Sequence, residues 1–156
     1  MDIGLTIEET HDMCEIMAVL KHPVIYDTIT SDSCPSLDDF DFDVTYQEFL
    51  AGKVNGEIMA LMIFYPDSPG WYCHVQVVPE YRCHAMDFGK KGLKWFFETH
   101  KEDVLWAEIP EKYPNVAKFA KKHGFEKDKT LDGLYIKDGI PYNQIRYKLE
   151  RERWAL

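Results

Sequence analysis

The apolar and polar positions of this chain change rhythm several times, and each change marks an element. From Glu57 to Tyr65 nearly every residue is apolar, which predicts a central strand covered on both faces. Asn55-Gly56, just before it, is a strong hairpin signal and favours a type I′ turn. The stretch Thr45 to Val54, with Tyr46, Phe49 and Leu50 apolar, therefore predicts the partner strand. Pro66-Asp67-Ser68-Pro69-Gly70 predicts another turn, and Trp71 to Val78 the third strand of a meander. Pro79 ends that strand because it has no N–H to give a sheet. A helical period follows from Ala85 to His100, with Met86, Gly89, Leu93 and Phe96 on one face and Phe88, Gly92 and Trp95 beside it. Gly89 and Gly92 each cost a helix interior roughly 1 kcal/mol relative to alanine. Close approach of this helix to the sheet is the expected compensation.

Val104 to Ile109 predicts a strand parallel to Trp71–Val78, since a helix connects the two. Pro114 stands near the start of a helix that reaches Lys122, and Gly124 stands where a C-terminal cap belongs. Phe125 to Ile136 and Tyr142 to Leu149 predict the last two strands, with Asp138-Gly139 turning between them. At the other end, Ile3 to Leu5 predicts a short strand. Thr6-Ile7-Glu8-Glu9 has capping-box spacing and predicts a helix to about Lys21, with Ile7, Met13, Ile16, Met17 and Leu20 mostly inward. Pro23 follows its expected end, and Val24 to Phe42 reads as an irregular acidic loop with room for a short helical turn. Strand, helix region, three strands, helix, strand, helix and two strands give one α/β domain over 1–156, a mixed sheet with helices on both faces.

At 156 residues and 46% apolar composition the chain can bury a core. No run of about 18 apolar residues predicts a membrane span. The N-terminus lacks a basic-then-apolar signal pattern, so a cytoplasmic location, in a bacterial or infected host cell, is expected. Cys14, Cys34, Cys73 and Cys83 form no CxxC pair, which suits reduced thiols. The net charge of −9 disfavours nucleic acid and acidic membranes as partners. Asp38 to Asp43 holds four aspartates but lacks the glycine and terminal glutamate of a calcium loop, so it reads as a solvated or substrate-facing segment. In the second role it would suit a cationic amine such as a polyamine, an aminoglycoside or a lysine-bearing peptide. Cys73-His74 and Cys83-His84 predict no metal site, because adjacent strand residues point to opposite faces.

The stretch Val77-Val78-Pro79-Glu80-Tyr81-Arg82-Cys83-His84-Ala85-Met86-Asp87 joins a strand to a helix start, where unpaired amides and the dipole favour an anion. It resembles the acyl-CoA pyrophosphate loop of the GNAT family of N-acetyltransferases. That loop reads Arg or Gln, two residues, Gly, one residue, Gly or Ala. Arg82 matches, while Ala85 and Asp87 replace the two small residues. Ala107-Glu108-Ile109-Pro110, Asn115 and Gly124-Phe125 resemble the family's later strand, helix and Gly-Phe signature, and the segment from Tyr135 to Leu149 its final hairpin. The resemblance covers roughly Lys53 to Glu150. It implies a mostly antiparallel central sheet, acetyl-CoA as cofactor, and direct acyl transfer to an amine of a small molecule or peptide.

The same resemblance places the cofactor on Val77, Val78, Arg82, Cys83, His84, Ala85, Met86 and Asn115, although Asn115 reads equally well as a cap of the following helix. Lys90, Lys91, Lys94, Lys118, Lys121 and Lys122 can supply a local basic patch or merely solvated helix faces. Asp87 opposes a diphosphate: at about 5 Å and an effective dielectric near 20 the repulsion is roughly 3 kcal/mol unless the side chain turns away. For the base, His74 has a suitable unperturbed pKa range and shares a strand face with Tyr72 and Gln76. Glu108, on the adjacent strand, is the other candidate. The family's frequent tyrosine acid falls on Ala120, which leaves Tyr113, Tyr135 and Tyr147 as substitutes by position. A shorter resemblance, carried by His22-Pro23-Val24-Ile25-Tyr26 and Val78-Pro79-Glu80-Tyr81-Arg82, is to small tailed-bacteriophage proteins of this fold, some linked to head assembly. It implies a catalytically degenerate interaction module with virion proteins as partners.

Overall fold

The computed structural model describes residues 4–40 and 44–155. Seven strands form one sheet: β1 (Leu5–Glu9), β2 (Glu48–Val54), β3 (Glu57–Pro66), β4 (Trp71–Val77), β5 (Val104–Pro110), β6 (Glu126–Lys137) and β7 (Ile140–Glu150). Their order is β1-β2-β3-β4-β5-β7-β6. Only β4 and β5 run parallel; the other pairs are antiparallel. Asn55 and Gly56 both take positive φ (53° and 79°), as a type I′ turn requires, and so do Asp138 and Gly139 (52° and 76°) between β6 and β7. The helices are α1 (Met13–Leu20), α2 (Pro23–Ile29), α3 (Ala85–Thr99), α4 (Pro114–Lys122) and the short α5 (Arg151–Trp154).

Two apolar layers cover the sheet. On one face Phe88, Leu93 and Phe96 of α3 and Ala120 of α4 pack on Leu50, Met62, Phe64, Leu105, Ala107 and Leu149. On the other, Ile16, Val19 and Leu20 of α1 and Ile25 of α2 pack on Phe49, Leu61 and Ile63. Strand β3 is buried from both sides, as its unbroken apolar run predicts. Each fully buried side chain such as Phe96 contributes on the order of 1.5–3 kcal/mol.

The glycines of α3 answer the close-approach expectation in two ways. A Cβ on Gly92 would lie 2.1 Å from Met62 Sδ, so there the helix does touch the sheet. A Cβ on Gly89 would lie 2.4 Å from His123 Nε2, so its neighbour is the end of α4 and not the sheet.

The N-terminal region departs from its sequence reading. Thr6 to Glu9 continue β1 and do not open a helix, because Leu5 to Glu9 pair with Val54 to Leu50. The carboxylates of Glu8 and Glu15 then converge on the ammonium of Lys53. Helix α1 is capped instead by Asp12, whose side chain accepts the N–H of Cys14 at 2.9 Å. Pro23 begins a second helix and does not merely end the first; it occupies the N1 position, and His22 Nδ1 accepts the N–H of Val24 at 3.2 Å. Ile3, Asp41, Phe42 and Asp43 lie outside the described residues, so the acidic segment is described only at Asp38 and Asp39, within a 3-10 turn.

The end of α2 is stitched to the β6–β7 hairpin. Lys137 Nζ donates to the carbonyls of Asp27 (2.6 Å) and Thr30 (2.9 Å), and Tyr135 Oη donates to Thr30 O at 2.7 Å. Asp32 accepts the amides of Asp138 and Gly139. At the opposite end of the sheet Arg151 donates to the carbonyls of Phe97, His100 and Glu102, closing the C-terminus of α3.

Candidate active site

The site begins where the sheet fails to pair. Strands β4 and β5 join only through Trp71–Leu105 and Tyr72–Trp106, then diverge. The N–H of Val78 donates to Met59 O at 2.9 Å. By the alternation of a strand, the even-numbered amides of β4 face β3, while those of Val75 and Val77 face the gap. The Val78 amide expected to meet a ligand is therefore spent within the sheet, and Val75 takes its place beside Val77.

A cavity of about 400 Å³ passes through this gap from the α3–α4 side to the α2 side. Gly89, Leu93, Phe119, Ala120 and His123 line one half. Leu20, Ile29, Phe40, Ile63, His74 and Glu108 line the other. His74 and Glu108 stand two residues beyond the last β4–β5 pair, on the same face, so they oppose each other across the opening.

His74 is exposed where it faces the cavity and is desolvated in part where its ring stacks on Tyr65. That desolvation lowers its pKa to about 4 and keeps it neutral near pH 7. Tyr65 Oη lies 3.1 Å from His74 Nε2, with the two rings stacked. Burial, with the charge of Glu108 nearby, pushes the Tyr65 phenol well above its usual range. Tyr65 thus keeps its proton near pH 7, and its hydroxyl fixes one ring nitrogen of His74, while the lowered imidazole pKa makes His74 a poor proton acceptor. Glu108 makes no ion pair among the described residues: Arg146, opposite it in β7, is held by Asp128 at 2.6 and 2.8 Å and stacks on Trp106.

On the other half, His123 Nε2 is buried without a hydrogen-bond partner among the described residues. Burial lowers its pKa first, with Lys90 adding to the effect, so this ring too favours its neutral form. Cys73 lines the same cavity, and burial pushes its thiol up to about 12, which makes it inert as a nucleophile. At the α2 end of the cavity, Tyr113 and Tyr135 meet at 3.3 Å between hydroxyls. Because Tyr135 gives its proton to Thr30, Tyr113 donates to Tyr135. Burial raises the Tyr135 pKa well above its usual range. Tyr147 is buried and does not reach the cavity.

The loop after β4 is tighter than its sequence suggests. Pro79 to His84 form a 3-10 turn that runs directly into α3. Tyr81 N donates to Val78 O and Ala85 N to Arg82 O, so two amides of the expected anion cradle are already engaged. Arg82 and Cys83 are exposed, and His84, Ala85 and Met86 half-buried; Arg82 makes no ion pair among the described residues. Asp87 points outward to Lys91 at 3.4 Å, so its carboxylate is turned along the helix surface. Asn115 is exposed in the first turn of α4, outside the cavity, and Tyr113, not Asn115, occupies the N-cap.

Sequence reasoning missed Tyr65, His123 and the wall from Thr28 to Phe40. The antiparallel register that sets Tyr65 opposite Tyr72 was readable from the hairpin. The wall from Thr28 to Phe40 was not, because this segment read as loop.

No protein-family model matches this sequence, and no curated protein matches it significantly. Solved structures match it closely in shape. Spermidine N-acetyltransferase from Vibrio cholerae, in complex with CoA and spermine, aligns over 97% of this chain and 98% of its own with a TM-score of 0.80 at 11% identity. Ribosomal-protein-alanine N-acetyltransferase from Brucella melitensis aligns over 94% and 99%, with a TM-score of 0.72 at 17% identity. An N-acetyltransferase from Staphylococcus aureus aligns over 94% and 98%, with a TM-score of 0.76 at 16% identity. The chain therefore has the GNAT fold, as its sequence resemblance implies. The bacteriophage resemblance finds no support among these structures. No helix among the described residues is long and apolar enough to cross a membrane.

Proposed function

We propose that this chain transfers an acetyl group from acetyl-CoA to an amine. The observation that carries the reading is the gap between β4 and β5, which opens a cavity through the sheet beside unpaired strand amides. The residues present fit the cofactor's arm: Val75 and Val77 offer backbone donors and acceptors, and His123 Nε2 is a buried polar atom in want of a partner. Arg82, with Cys83, His84, Ala85 and Met86 around it, would meet the diphosphate, aided by Lys90 at the α3 surface. Acetyl-CoA, when bound, supplies an acetyl group activated as a thioester.

The protein's own part is to orient and to move protons. An amine reaches the cavity protonated and must lose a proton before it can attack. Glu108, on the opposite side of the gap from His74, is placed to accept that proton, directly or through water. His74, neutral and held by Tyr65, orients the amine as a hydrogen-bonding wall. Tyr113, which lines the cavity at the start of α4, is the phenol that would return a proton to the leaving sulfur.

Calorimetric titration with acetyl-CoA tests this reading. Micromolar binding with release of a free thiol in the presence of amine is the expected result. The engaged amides of Tyr81 and Ala85 favour a second reading, a scaffold of the same fold that no longer binds the cofactor. Absence of binding at millimolar acetyl-CoA would select that reading.

A further inference from the structure

Resting on the acetyltransferase reading, we infer that the acceptor is a monoamine with an apolar, most favourably aromatic, body. The structural basis is the charge inventory of the cavity. Among the described residues that line it, Glu108 is the only charged side chain; there is no lysine, no arginine and no second carboxylate. The described acidic groups of the segment beside it are already committed. Asp27 pairs with Lys137, Asp32 holds the Asp138 and Gly139 amides, and Asp39 accepts from Ser36.

The remaining described surface of the α2 half is mostly apolar, with Leu20, Ile29, Phe40 and Ile63 beside the neutral polar groups of Thr28, Thr30 and Gln76, and the imidazole of His74 stacked against Tyr65 at its edge. One ammonium can pair with Glu108 while its body fills this space. Among the described lining residues a second ammonium would have only neutral groups to meet it, which is unfavourable. A carboxylate on the acceptor would find no cation and would face Glu108. The cavity thus selects against polyamines, aminoglycosides and zwitterionic amino acids by the same feature. The sequence expectation of a polycation rested on the acidic segment, whose described members do not line the cavity.

The test is calorimetric titration of the full chain with 2-phenylethylamine, phenylalanine and spermidine, each with and without CoA. Phenylethylamine should bind at least tenfold tighter than either competitor. Glu108→Gln should remove at least tenfold of that affinity. Gln76→Glu, which adds a second carboxylate to the lining, should raise spermidine affinity at least tenfold and stands as the check if Glu108→Gln does not fold. Equal or tighter binding of spermidine or phenylalanine to the unmodified protein would overturn the inference, as would no binding of any of the three. Acetyl-CoA titrated separately keeps the two ideas apart. Phenylethylamine binding without acetyl-CoA binding leaves the ligand class and removes the transferase. Acetyl-CoA binding with a spermidine preference does the reverse.

Discussion

Single side chains set the chemistry of this site through their surroundings. His74 shows it most directly. Its folded pKa of about 4 lies below the ordinary imidazole value of 6.5, so between those values the unfolded chain binds a proton that the folded chain refuses. The stability supplied by the neutral ring is complete above about pH 6.5 and is lost as pH falls toward 4. The ring borders the water of the cavity, so the effect is a modest share of total stability. Thermal melts across that window should fall less steeply for His74→Gln than for the native chain; parallel curves would remove His74 as a source. At Gly92 two effects oppose. Alanine would favour the helix by about 1 kcal/mol, but its methyl would drive into buried Met62, and overpacking typically costs about 1–3 kcal/mol. Gly92→Ala should therefore lower stability in urea by about 1 kcal/mol. Arg82→Glu should weaken acetyl-CoA binding at least tenfold without changing the melting temperature, whereas unchanged affinity would take Arg82 out of the site.

Between elements, the clasp of α2 onto the β6–β7 hairpin fixes the roof of the cavity. Lys137 is only 8% exposed and its ammonium binds two carbonyls at the end of α2. Hydrogen bonds to charged groups contribute about 1.5–3 kcal/mol each. Lys137→Met should loosen α2 by at least that much, seen as faster proteolysis between Thr28 and Phe40 with β3 and α3 unaffected. This clasp marks the limit of what the chain discloses before folding. Strand β3, helix α3 and both type I′ turns follow from local signals: an unbroken apolar run, a helical period, Asn-Gly and Asp-Gly. The partners of Lys137 and Asp32 lie about a hundred residues away, and no local pattern reports them. Thr6 to Glu9 show the converse, a capping signal overridden by pairing with β2. That His74 and Glu108 stand on adjacent parallel strands was legible, because a helix joins the two strands. Their shared cavity was not, because it depends on where the pairing stops.

Across the whole molecule, charge and cofactor are set against each other. The chain carries a net charge of −9, while the proposed ligand is a polyanion. Lys90, Lys91 and Lys94 lie on α3, which continues directly from the loop, with Lys91 facing Asp87 and Lys94 facing Glu98, and Lys118, Lys121 and Lys122 lie on α4. At a Debye length of about 10 Å the near charges dominate. Acetyl-CoA affinity should therefore fall as salt rises from about 50 to 500 mM; a rise would mean that the global charge governs. The interruption between β4 and β5 has one more outcome. It leaves the sheet as two panels, one of four strands and one of three, joined along that seam by two residue pairs. Deuterium should enter the amides of Val75 and Val77 quickly in the free protein, although strands flank them on both sides. A thioester arm laid in the seam would act as a missing strand, and slowed exchange at those two valines would record its arrival.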